Sequence, residues 1–197
     1  LIRLDGTAVF NDSVLVTVDA DTKVLKQARM DSTTTINDIS VGSHIRVFGN
    51  LTNNDPNQLE MDATGANGRV RLLISNLLGR IEQVNAAELV LNLRAINGRH
   101  VGLYGTFAGT GISPADDADP NAYQVATGDL PLDNLGPALL IRVRGFVAPF
   151  GTAPADFNAV TLIDISQLPA RLAVNWDPAT SQPFTSIGLD GLLINLS

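Results

Sequence analysis

"IRVFG" occupies residues 45–49, and "IRVRG" occupies residues 141–145. The two pentapeptides lie 96 positions apart and differ in one letter. Each sets Ile and Val two residues apart and closes on glycine. Successive side chains of a strand point to opposite faces. Ile45 and Val47 therefore share one face, with Arg46 and Phe48 on the other. Ile141 and Val143 repeat the first face, and Arg142 and Arg144 the second. Glycine lets a strand end or bend. Both stretches read as half-buried strands, and Val47 and Val143 are expected at equivalent core positions.

The same period of two runs through much of the chain. "SVLVTVD" (13–19), "ELVLNLRAI" (88–96) and "LLIRVRGFV" (139–147) all alternate. Turn signals separate them at short intervals: Asn53-Asn54-Asp55-Pro56, Asn67-Gly68, Asn97-Gly98 and Pro149-Phe150-Gly151. Of the 20 acidic residues, 17 are Asp, a turn former and a poor strand or helix former. No segment keeps a 3.6-residue apolar period over three turns. "TKVLKQARMDSTTTI" (22–36) reads as a strand running into a turn. The class is all-β.

The pentapeptides sit inside a longer repeat. "INDISVGSHIRVFGN" (36–50) aligns with "LDNLGPALLIRVRGF" (132–146), and "DGTAVFNDSVLVTVD" (5–19) aligns with "LGRIEQVNAAELVLNL" (78–93). "GLLINLS" (191–197) reads as that second strand starting a third time. The domains expected are a first repeat over 1–68, a second over 69–169 and C-terminal strands over 170–197 that open a third unit. The second repeat carries an insertion, 105–131, rich in Gly, Pro, Asp and Ala, which reads as a long surface loop.

In each unit a Gly-led strand, a turn, a second strand and a Thr-ended strand ("STTTI", 32–36) precede a short link. A "V-x-V-x-G" type strand and a last strand follow. Gly6, Thr35, Gly42 and "IRVFG" carry this order in the first unit, and Gly79, Gly136 and "IRVRG" in the second. The order resembles the OB-like β-barrel domains common in exported bacterial proteins of unknown function. The resemblance covers about 160 residues. It implies two tandem small barrels with a C-terminal strand extension, and a periplasmic or extracellular place. It brings no functional residue with it. The helix that links strands in many OB-folds is reduced here to "NDISVG" (37–42).

Composition narrows the functional classes. Apolar residues make up 45% of the chain and charged residues 17%, as in globular domains. There is no cysteine, which excludes disulfides, thiolate zinc sites and a Cys nucleophile. No apolar run approaches the ~18 residues that span a bilayer. The net charge is −7, with −1 over residues 1–115 and −6 over 116–197. The second half repels polyanions, and no run of Lys and Arg supplies phosphate contacts, so nucleic acid is not an expected partner.

Candidate sites are few. Asp116, Asp117 and Asp119 cluster in "PADDADPNAY" (114–123). Calcium takes several carboxylate oxygens, so the cluster is a metal candidate, but the distal Glu of a calcium loop is missing and a solvated loop tip is the plainer reading. His44 and His100, the only histidines, have no partner in sequence for general-base or metal work. No Gly-x-Ser-x-Gly elbow is present, and "GTFAGTG" (105–111) lacks the Lys-Ser/Thr of a phosphate loop and reads as a flexible linker. Arg46, Phe48, Arg142 and Arg144 form a candidate ligand face, since aromatic stacking and cations hold single strands. The plainer reading pairs these arginines with nearby Asp. Trp176 and Phe184 form a candidate apolar patch.

The expectation is a non-enzymatic structural or ligand-binding module of a larger envelope or secreted bacterial protein, with binding placed chiefly on loop 105–131. Single-stranded nucleic acid or oligosaccharide on the Arg/Phe face is the alternative. No cofactor is expected beyond the calcium candidate. A homodimer through the C-terminal strands is a further expectation.

Overall fold

The computed structural model describes residues 2–4, 7–9, 14–27, 34–55, 58–167, 184–188 and 191–194. It is all-β, with two short 3-10 turns. The strands of the first part are β1 (Ile2–Leu4), β2 (Thr7–Val9), β3 (Val14–Thr17), β4 (Lys23–Lys26), β5 (His44–Phe48), β6 (Asn50–Asp55), β7 (Gln58–Asp62) and β8 (Arg69–Leu73). Those of the second part are β9 (Ser75–Asn85), β10 (Glu88–Ile96), β11 (Arg99–His100), β12 (Tyr123–Ala126), β13 (Leu140–Val147) and β14 (Phe157–Asp164). Residues 1–166 form one compact unit, and 167–197 form another. Within the latter, β15 (Phe184–Gly188) and β16 (Gly191–Ile194) make an antiparallel hairpin. Trp176 lies outside the described residues, as does the side chain of Phe184.

Five strands of the second part close into a barrel. β9 pairs with β10, β10 with β12, β12 with β14, β14 with β13, and β13 returns to β9. All of these pairings are antiparallel except β12 with β14. The alternation seen in sequence is the inside and outside of this barrel. Leu77 and Ile81 of β9, Leu89 and Leu91 of β10, Val125 of β12, Ile141 and Val143 of β13 and Phe157 of β14 are all fully buried in one core. Tyr123 joins them, with its ring edge-on to Phe107 at 6.4 Å. A fully buried side chain of this size contributes about 1.5–3 kcal/mol, and the closed barrel encloses the larger of the two buried cores among the described residues.

Strand β12 lies within the stretch read from sequence as a surface loop, 105–131. Its four residues are flanked by Pro120 and Gly128, too short an alternation to stand out. Thr110 and Phe107, in the segment read as a flexible linker, are also buried.

The first part holds two three-stranded sheets, β3-β7-β6 and β4-β8-β5. In each, the middle strand pairs parallel with the first-named strand and antiparallel with the last. β8 begins at Arg69, so the boundary drawn after residue 68 falls just before a strand that pairs with β4 and β5. Of the Thr-ended strand expected at 32–36, residues 32 and 33 lie outside the described residues, and 34–36 form no strand. Residues 36–38 form a 3-10 turn instead. Thr35 Oγ1 accepts from the Asn37 amide at 3.3 Å, and the Asp38 carboxylate accepts from the Thr35 amide at 2.8 Å. This reciprocal cap fixes the chain in a turn before β5.

The two parts meet around β13. Phe146 packs with Val24, Val70 and Leu72 of the β4-β8-β5 sheet. Lys26 Nζ stands 4.7 Å over the Phe146 ring. Ser75 Oγ, buried, accepts from the His44 amide at 3.0 Å and donates to the Gly42 carbonyl at 3.4 Å.

Both pentapeptide glycines have a steric reason. A Cβ on Gly49 would lie 2.2 Å from the Asp62 carbonyl oxygen, and one on Gly145 would lie 2.0 Å from that of Asn158. In each copy a neighbouring strand crosses so closely that only glycine fits.

Candidate functional site

The outer face of the β4-β8-β5 sheet gathers charges that the sequence keeps far apart. Arg46 of β5 stands opposite Arg71 of β8, which stands opposite Leu25 of β4. In the next row Phe48 stands opposite Arg69, and Arg69 opposite Lys23. Adjacent strands lie about 4.8 Å apart, and rows two residues apart about 6.7 Å. Four cations therefore share a small patch around one exposed phenyl ring. Phe48 is 46% exposed and Leu25 37%. Between them lies a groove of about 220 Å³ lined by Leu25, Phe48, Asn67, Arg69, Val70 and Arg71.

Alternation is what builds the patch. Val24, Val70 and Val47 form the row between, on the opposite face, and the first two are buried against Phe146. Placing the valines inward forces the arginines outward. Like charges directly opposite one another in a sheet are destabilising. Among the described residues none of Lys23, Arg46, Arg69 and Arg71 forms an ion pair to relieve this. Local rules broken without internal compensation are found at functional positions.

Arg142 and Arg144 also share an exposed face, one row apart on β13, and the exposed Arg80 of β9, opposite Leu140, lies in the row beyond Arg142. Arg142 stands between Ile163 and Leu78, and Arg144 between Thr161 and Asn76. The pairing with neighbouring Asp expected for these arginines is not formed among the described residues. Of the four candidates on the Arg/Phe face, the structure brings Arg46 and Phe48 together on the β4-β8-β5 sheet, with Arg71 directly opposite Arg46, and places Arg142 and Arg144 on the barrel strand β13, where no cation stands directly opposite either.

The three Asp of the insertion do not converge. Asp116 accepts from Ser113 Oγ at 2.5 Å, Asp117 from the Gly111 amide at 2.9 Å, and Asp119 from the Asn121 amide at 2.8 Å. Each holds its own turn. The amides of Gly111, Gly109 and Thr110 hold the Asp117 carboxyl below the usual range. Among the described residues no group of three or more His, Cys, Asp or Glu could hold a metal ion. Asp117 and Asp119 instead rim an open hollow of about 440 Å³ on the barrel. Val101, Phe107, Ala118 and Pro120 line it.

The histidines have local roles. His44 Nδ1 lies 3.3 Å from the Ile74 carbonyl, and His100 Nδ1 accepts from the Gly102 amide at 3.1 Å.

One titratable group escaped the sequence reading. Asp156 is buried, with 5% of its surface exposed. Its carboxylate accepts from the Gln124 amide at 2.7 Å, and its backbone accepts from the Ala148 amide and from Tyr123 Oη. Burial pushes its pKa up to about 6, against the lowering effect of the Gln124 amide. Nothing near it in sequence marks it apart from the chain's other Asp residues.

Among the described residues no helix is long and apolar enough to cross a membrane. Comparison of the chain with family models, with curated proteins and with solved structures finds no match.

Proposed function

We propose that this chain is a binding module, without catalytic chemistry of its own, that holds an anionic partner on the outer face of the β4-β8-β5 sheet. The observation that carries this reading is the patch itself. Lys23, Arg46, Arg69 and Arg71 surround the exposed Phe48, with no ion-pair partner among the described residues. The net charge of −7 does not oppose it. Exposed charges farther off than about 8 Å are largely screened at physiological salt, so a ligand meets the local field. Guanidinium forks suit carboxylate, phosphate and sulfate groups, and the phenyl ring offers an apolar seat beside them.

The module is read as two tandem OB-like barrels of an exported bacterial protein. The strand order of 75–164, first-second-third-fifth-fourth and back to the first, with third and fifth parallel, supports the OB-like label. The repeat is supported by the equivalent roles of the two pentapeptide strands. β5 pairs antiparallel with β8, which pairs parallel with β4; β13 pairs antiparallel with β14, which pairs parallel with β12.

The test is fluorescence anisotropy with a labelled heparin fragment at about 50 mM salt. Binding that weakens at least tenfold in Arg46→Glu/Arg71→Glu and less than twofold in Arg142→Glu/Arg144→Glu supports the reading. No binding, or equal loss in both variants, overturns it. A labelled oligo-dT run in parallel separates the classes. Preference for oligo-dT that is lost in Phe48→Ala favours single-stranded nucleic acid, because stacking on an aromatic ring contributes about 1–3 kcal/mol per base.

A further inference from the structure

The basic face and the hollow on the barrel complement each other in three respects. The first is charge. Residues 100–141 contain five Asp (Asp116, Asp117, Asp119, Asp129 and Asp133) and no Lys, Arg or Glu. Asp119, Asp129 and Asp133 are exposed, and Asp117 and Asp119 sit on the rim of the hollow. Lys23, Arg46, Arg69 and Arg71 are likewise exposed around Phe48.

The second is shape. The basic face offers an exposed ring, Phe48, with Leu25 beside it. The hollow has an apolar floor, Phe107 and Ala118, between Val101 and Pro120. Its volume of about 440 Å³ is in the range that holds a small organic molecule, and so admits a phenyl ring.

The third is solvation. Exposed ion pairs alone contribute little, and that little is screened by salt. An aromatic anchor seated in an apolar hollow is the kind of contact that dominates an interface, with the surrounding charges excluding water and fixing orientation.

We infer that the β4-β8-β5 face of one copy of this chain docks on the Asp117/Asp119 hollow of a second copy, with Phe48 as the anchor. This deepens the proposed function, on which it rests: the anionic partner is another molecule of the same chain. The face and the hollow share no residue, so the contact is heterologous. Each added copy leaves one free face and one free hollow, and the assembly grows as a ring or a filament rather than stopping at a two-fold pair.

The experiment is sedimentation velocity on the full chain at about 20 and 500 mM salt, over a hundredfold range of concentration. Concentration-dependent species above the monomer at low salt, lost at high salt, are expected. Arg46→Glu/Arg71→Glu, with the face destroyed, and Asp119→Lys, with the hollow reversed, are each expected to remain monomeric. Mixed together, they are expected to form a 1:1 complex and nothing larger, because only one intact face and one intact hollow are present. The neutral variants Arg46→Gln/Arg71→Gln and Asp119→Asn repeat the test should a charge reversal fail to fold. A monomer at every concentration at low salt overturns the inference. So does association that survives both single variants, or a mixture that stays monomeric. The heparin titration keeps the two ideas apart. A monomeric chain that still binds heparin through Arg46 and Arg71 loses only the self-docking, whereas one that binds neither loses the binding face as well.

Discussion

Ile45 and Ile141 hold the same place in the two pentapeptides, yet Ile45 is 39% exposed and Ile141 is fully buried. Val47 is half-buried where Val143 has no exposed surface. The letters are the same and the local conformation is the same. What differs is the number of neighbours. β13 lies between β9 and β14 in a closed barrel, so its inward side chains meet a core from every side. β5 pairs only with β8 among the described residues, at the edge of a three-stranded sheet. The hydrophobic contribution of a residue follows the area removed from water, and closure rather than strand sequence sets that area.

The sharpest way to break this comparison is to truncate the paired isoleucines. Ile141→Ala is expected to cost about 2–5 kcal/mol and Ile45→Ala less than about 1, measured by urea unfolding. Equal costs would mean that the two strands are equally enclosed. The glycines test the opposite point, on which the copies agree. Gly49→Ala and Gly145→Ala each place a methyl on a carbonyl oxygen and are expected to destabilise by about 1–3 kcal/mol, with similar values in the same assay.

Asp156 gives a smaller and pH-dependent effect confined to the barrel. Its folded pKa of about 6 lies above the unfolded value of about 3.9, so the native state binds the extra proton between them. Stability therefore falls as pH rises from about 4 to 6 and stays lower above that. Asp156→Asn keeps an acceptor for the Gln124 amide and is expected to remove this slope, gaining about 1–2 kcal/mol at pH 7.5. Melting curves at pH 4 and 7.5 check it. Asp19, Asp62, Asp117 and Asp164, whose carboxyls are held low by hydrogen bonds, act with the opposite sign, in a window below about 4.

The smallest stability effect belongs to the one letter by which the pentapeptides differ. Phe48→Ala is expected to change stability by about 0.5 kcal/mol or less, as exposed substitutions do. Its effect is expected in binding, as a loss of at least fivefold in heparin affinity or self-association, while Arg144→Ala changes neither by twofold.

Much of the architecture was legible in the chain. The period of two placed Ile141, Val143, Leu89 and Leu91 in the core, and the pentapeptide glycines fall where a neighbouring strand passes too close for a side chain. Strand β12 was not legible, because four residues between Pro120 and Gly128 give alternation too little length. Three of the four cations of the basic face were likewise hidden. Arg46 and Phe48 stood out, but Lys23, Arg69 and Arg71 reached them only through the pairing of β8 with β4 and β5.

By itself, then, the sequence determined where the longer alternating strands lie and which side of each is apolar, since both follow from alternation and turn chemistry over a few neighbouring residues. Tertiary structure alone decided which strands close into a barrel and which charges share a face. A pairing such as Arg46 with Arg71 joins segments 25 residues apart, and the one between Lys23 and Arg69 joins segments 46 apart. No local preference encodes those meetings. They are fixed by the whole core, where Val24, Val70, Leu72 and Phe146 pack together and leave the cations outside.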